Sequence, residues 1–278
     1  MTVVTTGDAA GVPYVAVPPA EGTDHASAPV VVAWHLMDPP RTEAAFAAAL
    51  PLDGLDAWRI YLGLPMSGSR LPEGGFEEVM RLGYEDAVLN LHGPVVTQAA
   101  EEFPAALAVL RSRLGLGDAR LGVVGGSAGA AVAALVIAES EIAVDAAVLV
   151  SPLLRLVPAV EAMGRQHGVT YPWSDASRAV AHRLDFVARA GELAAAGEPA
   201  TLVVVGENDD EDGFLVPARE FRDELAGRYS DARRAQLVVV PGMAHALAEE
   251  PGIEAAPQTP HAAEVDRHAA RWLERHLH

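Results

Sequence analysis

Arg120-Leu121-Gly122-Val123-Val124-Gly125-Gly126-Ser127-Ala128-Gly129 is a short apolar run ending in the pattern G-x-S-x-G, and residues 130–138 continue it as an apolar, alanine-rich stretch. The order strand, turn, helix gives the pattern its meaning. So sharp a turn holds its serine in a strained backbone conformation, and the flanking glycines remove side chains that would collide with it. The hydroxyl is lifted above the sheet, which makes Ser127 a candidate nucleophile. A helix starting here also presents unpaired N–H groups and the positive end of its dipole, so the N–H of Ala128 is a candidate oxyanion donor. A glycine-rich turn can bind phosphate instead, but the lysine of a P-loop is missing here.

Outward from this turn, short apolar runs alternate with helical stretches, the signature of βαβ units and a mainly parallel sheet. The expected strands are residues 30–36, 58–62, 120–124, 146–150, 201–205 and 236–240, and residues 3–6 and 14–17 form an edge hairpin around a turn at 7–11. Helices are expected at 42–50, 98–114, 128–140, 217–229 and 261–277. In the last of these, Val265, Ala269, Trp272 and Leu273 recur at spacings of three and four, giving one face to pack on the sheet. Two connections, 63–97 and 151–198, are too long for simple turns and are expected to carry extra helices or a lid. The second contains Leu153, Leu154, Leu156, Val157, Met163, Tyr171 and Trp173, enough apolar surface to cover a pocket, with Leu153, Leu154 and Trp173 as candidate pocket residues.

A serine needs a base within hydrogen-bond reach, itself oriented by a carboxylate. After the strand at 201–205 comes Gly206-Glu207-Asn208-Asp209-Asp210-Glu211-Asp212, and after the strand at 236–240 comes Pro241-Gly242-Met243-Ala244-His245. Carboxylates and a histidine thus follow the serine in the order acid, then base, each at the C-terminal end of its own strand, where sites in open α/β sheets collect. Asp209 is the first choice for the acid and Asp210 the second. His92, in Asn90-Leu91-His92-Gly93-Pro94, is a further pocket candidate, whereas His261, His268, His276 and His278 lie on or beside the last helix.

The turns at Gly125–Gly129, Gly206–Asp209 and Gly242–His245 together resemble the α/β-hydrolase superfamily, and the resemblance runs over nearly the whole chain. It implies the α/β-hydrolase fold, a mainly parallel sheet with helices on both faces, in one domain over residues 1–278 with residues 153–198 as a lid or cap. It also implies Ser127 as nucleophile, Asp209 as acid and His245 as base, and is similar in scope to small esterases, dienelactone hydrolases and prolyl-oligopeptidase-like catalytic domains. Such relatives carry His-Gly after the first parallel strand, and the next residue donates the second oxyanion N–H. Here the loop reads Ala33-Trp34-His35-Leu36-Met37-Asp38-Pro39-Pro40. Aligned on His35, Leu36 replaces the glycine and Met37 becomes the donor, with Leu36 as alternative. His35 and Leu36 are then pocket candidates as well. Leucine tolerates positive φ poorly, so either the loop takes another path or the hole is incomplete.

Composition narrows the function. Half of the 278 residues are hydrophobic and 21% are charged, enough apolar material for a large core. A net charge of -18 disfavours nucleic acid and anionic membranes as partners. Without cysteine there is no disulfide, thiolate nucleophile or thiolate metal site, and the histidines lack an H-E-x-x-H arrangement. No cofactor or metal is expected. The N-terminal residues have no basic, apolar signal pattern and no run spans a bilayer, so the expectation is a cytoplasmic protein acting on a small molecule. The favoured activity is hydrolysis of a carboxylic ester. Amide or peptide hydrolysis by the same residues is the alternative, and a noncatalytic binding protein of the same fold is the other.

Overall fold

The structure, a computed structural model, describes residues 4–278, apart from the side chain of His167. Eight strands, β1 (Thr5–Ala9), β2 (Val12–Val17), β3 (Val30–Trp34), β4 (Trp58–Leu62), β5 (Leu121–Gly126), β6 (Ala146–Val150), β7 (Ala200–Gly206) and β8 (Ala235–Val240), form one sheet. Their order is β1-β2-β4-β3-β5-β6-β7-β8, antiparallel at β1-β2 and β2-β4 and parallel elsewhere. Every residue of β3, β5, β6 and β7 is buried. Strands covered on both faces need no polar side, which is why they read as unbroken apolar runs.

The helices are α1 (Glu43–Ala49), α2 (Gly75–Glu85), α3 (Gly93–Leu114), α4 (Ala128–Glu139), α5 (Leu156–His167), α6 (Asp175–Arg183), α7 (Ala190–Ala195), α8 (Val216–Arg228) and α9 (Pro260–Leu277). One face of the sheet is covered by Phe103 and Leu107 of α3, Val132 and Leu135 of α4 and Phe221 of α8. Phe46 of α1 and Val265, Trp272 and Leu273 of α9 cover the other. The stripe expected on the last helix is therefore its buried face. Among the described residues no helix is long and apolar enough to cross a membrane.

Several boundaries differ from expectation. The edge hairpin turns at Ala10 and Gly11, both at positive φ (54° and 87°), so Gly7 and Asp8 belong to β1. Paired positive φ suits the twist of a two-residue hairpin loop. Val3, placed in the first strand by its sequence, lies outside the described residues. β3 ends at Trp34, releasing His35 and Leu36 into the following loop. α3 begins at Gly93, not at residue 98, and is preceded by a π-helical turn, Ala87–His92. The two long connections hold α2 and α5 to α7.

Candidate active site

Strand register brings the site together. Trp34 pairs with Gly125, Gly126 with Val150, Val150 with Val204 and Gly206 with Val240, so the loops leaving β3, β5, β7 and β8 emerge at one edge of the sheet. Ser127 lies between β5 and α4 at φ 47° and ψ -113°. That conformation is costly for a residue with a side chain and persists only where the surroundings impose it. They do so through backbone contact: a Cβ on Gly125 would lie 2.2 Å from the Gly129 carbonyl oxygen, and one on Gly129 would lie 2.3 Å from that of Trp34. Only glycine fits at either point.

His245 Nε2 lies 2.9 Å from Ser127 Oγ, and His245 Nδ1 lies 2.8 Å from Asp209 Oδ2. The Nδ1–H therefore donates to Asp209, leaving Nε2 as acceptor for the serine hydroxyl. The other Asp209 oxygen accepts the Asp210 N–H at 2.8 Å. Asp210 faces elsewhere: its carboxylate accepts the Gly213 N–H at 2.8 Å and pairs with Arg165 of α5 at 3.0 Å. Geometry thus separates the two acids that the sequence left adjacent. Loops carrying acid and base press together, since Asn208 N–H donates to the Met243 carbonyl at 2.8 Å and a Cβ on Gly206 would sit 2.2 Å from that oxygen. Phe214 backs the imidazole with ring centroids 4.3 Å apart. Burial pushes the His245 pKa down, but the hydrogen bond and charge of Asp209, with Asp38 adding to them, outweigh it, and the net shift is upward.

The loop after β3 departs from the pattern of relatives without strain. Neither Leu36 nor Met37 has a positive φ, so the chain takes a path that needs no glycine here. His35 sets that path: its Nδ1–H donates to the Leu36 carbonyl at 2.6 Å and its Nε2 accepts the Leu64 N–H at 3.0 Å. Burial pushes its pKa down to about 4, so the ring stays neutral, as these two bonds require. With the Leu36 carbonyl turned to His35, the trans peptide sends the Met37 N–H the opposite way. That N–H has no acceptor among the described residues. Beyond it, the Pro39 carbonyl accepts the N–H groups of Leu247 (3.0 Å) and Ala248 (3.3 Å), Arg41 N–H donates to the Gly252 carbonyl at 2.7 Å, and Arg41 pairs with Glu250. The loop is clamped to the segment that follows His245.

The pocket candidates fall in different surroundings. His35 and Leu36 are fully buried, and Leu36 packs against Gly126, where a Cβ would meet it at 2.2 Å. Leu153 and Leu154, which follow β6 after two intervening residues, belong to the core, and the Leu153 N–H donates to the Ser127 carbonyl at 3.2 Å. Trp173 stacks edge-on with Tyr171 at 4.7 Å and under Arg178. A cavity of about 310 Å³ does open where the two long connections meet, lined by Val79, Met80, His92, Val160, Met163 and Tyr171 among others. His92, Met163 and Tyr171 were named from the sequence as pocket material, whereas Val79, Met80 and Val160 were missed. Their signal was the apolar content of the long connections, but which residues faced outward depended on helices not assigned. Among the described residues no group of three or more His, Asp or Glu is arranged to hold a metal ion.

No family model matches the sequence, and no curated protein does. Solved structures do. The Thermus thermophilus protein TT1662 is 18% identical, with TM-score 0.63, over 100% of this chain and 98% of its own. A puromycin-hydrolyzing peptidase of Mycobacterium tuberculosis is 18% identical with TM-score 0.65, over 99% of this chain but 39% of its own. An esterase of Pyrococcus furiosus is 13% identical with TM-score 0.58, over 100% of this chain and 92% of its own. Likeness over the full length, on a sheet of this order and direction, shows that the chain has the α/β-hydrolase fold.

Proposed function

We propose that the chain is a serine hydrolase cleaving carboxylic esters through an acyl-enzyme on Ser127. The observation that carries this reading is the line Asp209, His245, Ser127, with both hydrogen bonds formed at a strained serine. Ser127 Oγ attacks the carbonyl carbon while His245 Nε2 takes its proton, and Asp209 stabilises the imidazolium. The negative oxygen of the tetrahedral intermediate is met by the N–H groups of Ala128 and Met37. Collapse breaks the ester bond, and the departing alkoxide takes the proton from Nε2. Water then repeats the sequence, returning the proton to Ser127 and releasing the acid. A missing oxyanion donor costs about 2.7 to 4 kcal/mol, so the orientation of the Met37 N–H weighs heavily on the rate.

Residues 153–198 act in this proposal as a cap whose α5 helps to wall the apolar cavity, which takes part of the substrate. A cytoplasmic setting, expected from the sequence, belongs to the same proposal. Amide or peptide cleavage is the second reading, favoured by the peptidase among the similar structures. Labelling with a fluorophosphonate tests the chemistry: wild type is labelled on Ser127, and Ser127→Ala loses both label and ester turnover while its circular dichroism is unchanged. An unlabelled wild type that binds esters without cleaving them would mean a binding protein instead.

A further inference from the structure

We propose that Asp38 selects the substrate, and that the preferred esters or amides carry a protonated amine next to the scissile carbonyl. This rests on Ser127 being the nucleophile. Asp38 follows Met37 in the loop after β3, and its Oδ2 lies 3.7 Å from His245 Nε2, the nitrogen that faces Ser127. It is therefore a second carboxylate on the reactive side of the imidazole, opposite the one occupied by Asp209.

Its charge is not neutralised by the protein. Among the described residues Asp38 forms no hydrogen bond and has no other ion-pair partner, and its side chain is 54% exposed. Arg41, three residues on, directs its guanidinium to the Met37 carbonyl, the Pro251 carbonyl and Glu250. For a neutral ester this carboxylate works in two directions: it favours the imidazolium but opposes the oxyanion that must form beside it. A substrate ammonium resolves the conflict, because it cancels the repulsion and supplies the absent counter-charge. Nothing comparable is gained by a substrate that is neutral or anionic at that position. The net charge of -18 adds to the pull on cations.

His92 lies on the wall of the apolar cavity and within reach of the charge of Asp38. Its buried Nδ1 has no partner among the described residues, and burial pushes its pKa down to about 4 against the pull of Asp38. A neutral imidazole there leaves Asp38 as the charged group. The substrate that fits both features has an ammonium group and an apolar side group on the same carbon.

The test compares leucine ethyl ester with ethyl 4-methylpentanoate, which lacks only the amine, and with N-acetyl-leucine ethyl ester, near pH 7. Wild type should favour the free amine by about tenfold or more in kcat/KM, mainly through KM, the order of a single close charge contact. The preference should shrink in high salt. Asp38→Asn should bring the ratio near one by slowing the amine ester and speeding the neutral one, and Asp38→Lys should invert it. If Asp38 only tuned His245, the variants would change all three esters by the same factor, which overturns the proposal. So does a wild type without preference, while fluorophosphonate labelling of Ser127 would leave the hydrolase reading standing. Should no ester turn over, titration of Ser127→Ala with leucine ethyl ester and with ethyl 4-methylpentanoate reads recognition alone. Tighter binding of the amine, lost in Ser127→Ala with Asp38→Asn, supports the proposal, and equal binding overturns it.

Discussion

Gly125 and Asp209 carry the most exposed expectations at the level of single residues. A Cβ on Gly125 would meet only backbone, at 2.2 Å from Gly129 O, so no side chain can swing aside. Gly125→Ala is expected to cost about 1 to 3 kcal/mol, the usual range for overpacking, and to distort the Ser127 turn. A lowered urea midpoint together with lost fluorophosphonate labelling would show both. Asp209→Asn should cost far more turnover than Asp210→Asn, since Asp209 orients His245 while Asp210 holds Arg165 and Gly213. Equal losses would count against the role of Asp209. If neutral His245 is the base, as proposed, its upward-shifted pKa should place the acid limb of kcat/KM above the ordinary histidine value of about 6.5. The groups that face the ring are Asp209, Asp38, Ser127 and Phe214, and removal of either carboxylate's charge should move the limb down. Ser127, Asp209 and His245 were legible in the sequence because each follows its strand in a fixed order. Asp38 was not, since its proximity to His245 depends on the path that His35 imposes on the loop.

Helix α9 shows how one element can work against its own packing. Asp266 on its buried face accepts the Leu52 N–H at 2.8 Å, and burial pushes its carboxyl up to about 6 despite that bond. A raised native pKa means that the folded state binds the proton more tightly than the unfolded one, so the ionised carboxylate costs stability above about pH 6, and the cost is relieved as pH falls toward 4. Asp266→Asn, which keeps an acceptor for Leu52, should therefore stabilise the chain at pH 8 by on the order of 1 to 3 kcal/mol, with the gain vanishing near pH 4. Melting curves at the two pH values measure this. An equal gain at both would point to packing. The strands and α9 were readable because burial leaves a periodic apolar record. The helices of the long connections were not: α2 buries only Val79 and exposes Phe76, Met80 and Tyr84, while α6 opens with Ser174 and Ser177 bonded to each other's backbone in place of the usual glutamate signal.

At the level of the whole molecule, two apolar layers hold the sheet while its C-terminal edge gathers loops that are far apart in sequence. The mainly parallel direction of the strands followed from their alternation with helices, but their order in the sheet and the cavity between the two long connections did not, because both are set by contacts between segments with no shared periodicity. The clamp between the loop after β3 and the segment after His245 joins residues some two hundred positions apart through bonds from Arg41, Leu247 and Ala248. In hydrogen exchange these three amides should behave as one opening unit, with matching protection factors and the same response to urea. Arg41→Ala should speed exchange at Leu247 and Ala248 although neither amide is bonded to its side chain. The halves of the chain that carry the proposed oxyanion donor and the proposed base would then be released by a single local fluctuation, and the lifetime of the closed form would limit how long a productive encounter can last.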